Sequence, residues 1–168
     1  MRNTKLYIFA SAILSLFCLF SCGNLQPLYK TNSRVEKELS NIEIESIDTI
    51  QGAEIYYYLT RLIGSGEEQK YLLQIKLLED VTSPMAITKE ARVIKQNVTQ
   101  VYSYSLTYKQ NGALLYKGKF RVKSSYNSVS TPYASYTQEK YTKKNITQTA
   151  AEELYLRLIM YFSKYNSL

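Results

Sequence analysis

Histidine and tryptophan are both absent from this chain, and cysteine occurs only twice, as Cys18 and Cys22. Without histidine, the commonest general base and the commonest metal ligand are both missing. No Gly-x-Ser-x-Gly stands anywhere in the sequence, so the strained turn that presents a serine nucleophile is missing as well. The adjacent carboxylates Glu67-Glu68 and Glu152-Glu153 are read as solvated surface or helix charge rather than as acid/base pairs. No catalytic residue, metal or cofactor is expected, and the chain is expected to bind rather than to catalyse. What it has instead is tyrosine, 17 of its 168 residues, together with a formal net charge of +7. A mildly basic balance suggests an anionic partner.

The front of the chain has its own pattern. Arg2 and Lys5 precede a nearly unbroken apolar run from Leu6 to Phe20. A run of about 15 residues falls short of the roughly 20 that a bilayer-spanning helix needs, which makes it the core of a secretory signal. Leu19-Phe20-Ser21-Cys22 then places an aliphatic residue three before a cysteine and a small residue directly before it, the pattern for lipoprotein processing. Cys18 follows the bulky Phe17 and lacks that pattern. Residues 1–21 are therefore expected to be a signal peptide and Cys22 the lipidated first residue of the mature chain. Several acyl chains, at roughly 0.8 kcal/mol per buried CH₂, anchor a protein nearly irreversibly. Gly23, rather than an aspartate, follows the cysteine, so the expected location is the outer membrane, lipid-anchored at Cys22 on the periplasmic side. Acylation also leaves no free thiol, which removes disulfides and thiol chemistry.

Residues 22–40 hold Pro27 and several polar residues and read as a tether; residues 41–168 read as one folded domain. Residues 42–47 alternate as a half-buried strand does, and Ile55, Leu59, Leu62 and Ile63 give the stripe of a helix ending at Gly64. Strands are expected over 71–81, 93–109 and 114–126, the last two joined at Asn111-Gly112, the strongest short hairpin signal. Residues 82–89, with Pro84, and residues 126–137 read as loops. A final helix is expected over about 138–164, where Ile146, Ala150, Leu154, Leu158 and Phe162 recur every four residues. The order β-α-β-β-β-α implies an α+β domain, a four-stranded, mostly antiparallel sheet with both helices on one face.

Two segments carry a resemblance. Cys22-Gly23 followed by Pro27-Leu28-Tyr29 is similar to the start of the alphaproteobacterial-type LPS-assembly lipoprotein family LptE, with Asn24-Leu25-Gln26 lengthening the spacer by about one residue. The segment from Ser125 through Tyr126-Asn127 to Pro132-Tyr133-Ala134 resembles that family's loop before the last helix. The resemblance implies a lipoprotein that sits in the outer-membrane barrel LptD, where the pair inserts lipopolysaccharide into the outer leaflet. Tyr126, Asn127, Pro132 and Tyr133 would then either contact the barrel or shape the loop and pack it on the helix.

One segment offers a ligand surface on its residues alone. In Lys117-Gly118-Lys119-Phe120-Arg121-Val122-Lys123, strand period two sends Lys117, Lys119, Arg121 and Lys123 to one face. Four cations in a row repel one another unless something anionic meets them, and the phosphates of lipopolysaccharide suit, with Arg121 able to grip one in a bidentate fork. The plain alternative is a solvated strand face. Lys89, Arg92 and Lys95 extend the basic character upstream. Two other functions compete: a periplasm-facing envelope scaffold or anionic-polymer-binding lipoprotein without a barrel partner, and a hydrolase, which the missing residue types disfavour. Nucleic acid fits the charge but not the compartment.

Overall fold

Alternating apolar and polar residues build three long strands. In the computed structural model, which describes residues 33–165 apart from 46, 48, 88–93 and 129–130, the elements run α1 (Ser33–Ser40), β1 (Ile42–Ile44), α2 (Ile50–Ile63), β2 (Tyr71–Ile87), β3 (Ile94–Tyr108), β4 (Leu114–Ser128) and α3 (Pro132–Tyr165). One sheet forms in the order β1-β2-β3-β4, with β1 parallel to β2 and the other neighbours antiparallel. The domain is α+β with a four-stranded, mostly antiparallel sheet, as expected, and it carries one helix more than the sequence suggested. Cys22 and the expected signal peptide lie outside the described residues, as do Lys89 and Arg92.

Five boundaries differ from expectation. Residues 33–40, read as the end of the tether, form α1 and bury Val35 and Leu39 at 3% and 1% exposure. Two apolar residues four apart are too few to register as a stripe. Residues 82–87, read as the start of a loop because of Pro84, continue β2. Lys109 N–H bonds to Lys70 C=O, so odd-numbered residues of β3 bond toward β2 and even-numbered ones toward β4. Pro84 sits opposite Gln96, and its nitrogen therefore points to the open side of β2, where no ladder bond is lost. Residues 126–128 belong to β4 rather than to a loop, and the last helix begins at Pro132, six residues before the expected start. Proline suits the first helical position, where its missing N–H has no partner to lose. Finally, β1 stops at Ile44, and the chain then turns into α2 through Thr49, whose side chain accepts from Gly52 N–H at 2.9 Å.

The inward faces of all three helices and of the sheet share one core, which joins Leu39, Ile55, Leu59, Leu73, Tyr102 and Leu106 to Ile146, Ala150, Leu154, Leu158 and Phe162. Leu62, expected in the α2 stripe, is 38% exposed. Aromatic rings tile the sheet beneath α3: Tyr102 stacks on Phe120 at 5.5 Å and Tyr116 on Tyr161 at 4.9 Å. Gly118 stands directly opposite Tyr104, and a Cβ there would lie 2.6 Å from the Tyr104 hydroxyl, so only glycine admits that ring. Burial pushes the Tyr102 and Tyr104 hydroxyls up to about 12, which keeps both neutral.

The first half of α3 is held differently. Lys143 reaches Glu139 at 3.1 Å and Asp80 at 3.4 Å, and Glu139 also accepts from Thr82 at 3.1 Å and from the Tyr126 hydroxyl at 3.3 Å. Asp80 accepts from Gln51 and from the buried Gln100, which in turn accepts from Tyr102 at 2.8 Å. Burial alone would raise the Glu139 carboxyl, but the Lys143, Thr82 and Tyr126 donors outweigh it and hold the group below its ordinary 4.5. Burial would likewise lower Lys143, yet the two carboxylates hold it above 10.5. The Glu139 contribution is therefore complete above about pH 4.5 and is lost as pH falls through the depressed folded value. That of Lys143 is complete below 10.5 and is lost on the alkaline side. Glu139→Gln should thus cost roughly 1–2 kcal/mol at neutral pH. Urea unfolding at pH 7 and at pH 3 should show that cost shrinking in acid, and a cost unchanged at pH 3 would mean that the ionised carboxylate contributes nothing.

Candidate functional site

The face of the sheet turned away from the helices is polar and open, and the basic stripe lies on it. Inward-facing Phe120 and Val122 are 6% and 8% exposed, and the residues alternating with them, Lys117, Lys119, Arg121 and Lys123, are all exposed. None of the four forms an ion pair with another described residue, although five such pairs occur elsewhere. Across the sheet they stand beside Ser105, Ser103, Val101 and Thr99 of β3 in that order.

On the next strand, Gln74 lies opposite Ser105 and Lys76 opposite Ser103. Two rows result: Gln74, Ser105 and Lys117; and Lys76, Ser103 and Lys119. They line an open cleft of about 530 Å³. With strands about 4.8 Å apart, Lys76 and Lys119 flank Ser103 from the strands on either side of it, roughly 10 Å apart at their backbones. An anion over Ser103 would meet a hydroxyl donor in the centre and an ammonium on either side. The sequence reading did not single out Lys76. Its signal was nonetheless present, since the apolar Leu73, Ile75 and Leu77 alternate with Lys76 and strand period two puts it on the opposite, outward face. Lys95 lies opposite Asn127 and is exposed, at the other end of the same face.

The second expected group does not act as one set. The Tyr126 ring packs against the core and its hydroxyl bonds to Glu139, whereas Asn127, Pro132 and Tyr133 are exposed, Tyr133 at 79%. Tyr126 thus serves the fold, and the surface around Tyr133 is enlarged by residues that the sequence reading left aside. Tyr136 and Tyr141, farther along the first half of α3, are 65% and 64% exposed, and Ile50 at the start of α2 is 79% exposed. Between the two helix starts runs a groove of about 380 Å³ lined by Ile50, Gln51, Glu54, Tyr136, Lys140 and Lys144. The paired glutamates are occupied in surface contacts, Glu68 with Lys70 and Glu153 with Arg157. Among the described residues, no cluster of side chains is placed to hold a metal ion.

Comparison with known proteins places this geometry in context. No protein-family model matches the chain. Over 150 residues it is 37% identical to the uncharacterized protein RP188 of Rickettsia prowazekii, an alignment that covers 89% of this chain and 95% of that one. Among solved structures it is similar to a lipoprotein of Caulobacter crescentus CB15, with a TM-score of 0.64 and 20% identity over 78% of this chain and 97% of that one. It is also similar to uncharacterized lipoprotein B of Nitrosomonas europaea, with a TM-score of 0.55 and 14% identity over 73% of this chain and 82% of that one. Rare lipoprotein B of Shewanella oneidensis has a TM-score of 0.50 and 13% identity over 75% of this chain and 94% of that one. At these identities the likeness is one of fold, and the fold is one that recurs in bacterial lipoproteins.

Proposed function

We propose, for a chain that belongs to the family of the Rickettsia prowazekii protein RP188, that it is a non-enzymatic outer-membrane lipoprotein of LptE type. In this reading Cys22 carries the acyl anchor, an outer-membrane β-barrel equivalent to LptD is the protein partner, and the open sheet face meets lipopolysaccharide on its way outward. The observation that carries the reading is the row of Lys117, Lys119, Arg121 and Lys123, exposed and without internal ion pairs beside the Lys76–Ser103 cleft. Leaving four adjacent cations unneutralised costs self-repulsion that a bound polyanion relieves. The Tyr133, Tyr136 and Tyr141 surface at the start of α3 suits a protein partner, because tyrosine is enriched where interfaces bury their centres. The two surfaces are separate, as a protein that holds a barrel and hands on a lipid requires.

Purification from envelopes tests the reading. Full-length protein solubilised in mild detergent should bring down a large β-barrel in stable stoichiometry, and recovery without one would favour the barrel-free scaffold. Cys22→Ala should abolish labelling by a radioactive fatty acid and leave an unprocessed precursor. Label retained by that variant would remove the anchor from the reading.

A further inference from the structure

The two outer edges of this sheet are guarded in different ways. The far edge of β2 is covered by β1 over Tyr71, Leu72 and Leu73, and beyond that it carries Pro84 and two register shifts, at Leu78 and Met85. A covering strand, a proline and bulges are the usual devices that stop another strand from adding. Beyond its bulge at Leu115, the far edge of β4 has none of them among the described residues. After Tyr116 its register with β3 runs without a shift to Ser128, it contains no proline, and among the described residues nothing pairs with its outer side.

The hairpin decides which backbone groups face that open edge. Tyr108 N–H bonds to Ala113 C=O, so the even-numbered residues of β3 bond toward β4. Their partners on β4 are also even-numbered, from Tyr116 through Ser128. Bonding alternates along a strand, so Lys117, Lys119, Arg121, Lys123, Ser125 and Asn127 turn their N–H and C=O groups outward. The residues that offer unpaired backbone groups are therefore the ones that carry the cations. They span about 34 Å of regular edge, at roughly 3.4 Å per residue.

We propose that the β4 edge is a docking site for an extended acidic segment of a partner protein, which adds to the sheet as a fifth strand. Backbone pairing with the six outward residues supplies the ladder, and carboxylates on alternate positions of the incoming strand lie beside Lys117, Lys119, Arg121 and Lys123 on the open face. The same cations exclude a second copy of this chain, because two β4 edges brought together would set like charges side by side. Among the described residues, charge is thus the guard that remains on this edge beyond Tyr116, and it is a selective one. This interaction is distinct from phosphate binding on the sheet face: it uses main-chain groups at the edge and shares only the cations.

A synthetic eleven-residue peptide alternating glutamate with valine is the probe, tested against the full-length protein in detergent micelles. Binding should be at least tenfold weaker for the same peptide with alternate backbone nitrogens methylated, which keeps every charge and removes the ladder donors. Amide exchange followed by NMR should slow at Lys119, Arg121 and Lys123 when the unmodified peptide binds, while Phe120 and Val122 are already slow. Ser125→Pro, which removes one outward donor without altering charge, should weaken the peptide and spare binding of inorganic phosphate. Equal binding of the methylated peptide, or exchange at the odd-numbered residues unchanged on binding, would reduce the effect to charge on the sheet face and overturn strand addition. Exchange protection that grows with protein concentration in the absence of peptide would instead assign the edge to a second copy and overturn it as well.

Discussion

Leu154→Asp is expected to leave the chain without a folded state. Leu154 is fully buried in the middle of α3, one turn from Ala150 and one from Leu158, and all three are 0% exposed. Truncating a buried leucine costs about 2–5 kcal/mol, and setting an unpaired carboxylate in the same space adds several more. The sum approaches the whole stability of a domain this size, about 5–15 kcal/mol. Far-UV circular dichroism and urea titration should show no cooperative transition, and a transition with the parent midpoint would mean that α3 is not packed on the sheet. Leu156→Asp is the internal control. Leu156 is on the same helix but 40% exposed, and its replacement should alter stability by no more than about 0.5 kcal/mol.

The double charge reversal Lys119→Glu with Arg121→Glu should produce the largest loss of binding. Each charge-assisted contact to a phosphate contributes on the order of 1.4 kcal/mol, a factor of ten, so removing two lowers affinity for lipopolysaccharide roughly a hundredfold. The side chains are exposed and make no ion pair with another described residue, so the fold should be untouched and the urea midpoint unchanged. Binding by the parent protein should also weaken with added salt, because exposed charges are screened beyond about 10 Å at 0.1 M ionic strength. The barrel should still co-purify with the variant, since Tyr133, Tyr136 and Tyr141 lie on α3 rather than on the stripe. Unaltered binding of lipopolysaccharide at low salt would make the stripe a solvated face and move the ligand surface to the tyrosine end of α3.

How far the molecule could be read beforehand depended on whether the signal was apolar. The meander of β2, β3 and β4, its turn at Asn111-Gly112 and the second half of α3 all followed from residues that alternate or recur because one side is buried. The start of α3, residues 132–137, could not be seen that way. From Pro132 to Lys143 the helix is attached to the sheet through Glu139 and Lys143, and polar contacts between a helix and a distant strand leave no period in a sequence. Pro84 misled for a related reason: proline reads as a break unless its nitrogen is known to face an open edge, and that is a property of the sheet and not of the segment. The basic stripe was legible because alternation alone puts four cations on one side. Its neighbours Lys76 and Ser103 were not grouped with it, since the register that aligns three strands is set by bulges at Leu78 and Leu115.

The two chemistries of α3 divide it into lengths of unequal cohesion. From Ile146 to Phe162 each turn buries an apolar side chain, and Ile146, Leu154, Leu158 and Phe162 contribute about 1.5–3 kcal/mol each. Up to Lys143 the attachments are hydrogen bonds and ion pairs that net about 1 kcal/mol apiece in water. The helix therefore melts from its leading end, in excursions far cheaper than global unfolding. Tyr133, Tyr136 and Tyr141 ride on this less firmly held length, so a partner of the kind proposed above would, on binding, be expected to steady the part of α3 that the core grips least.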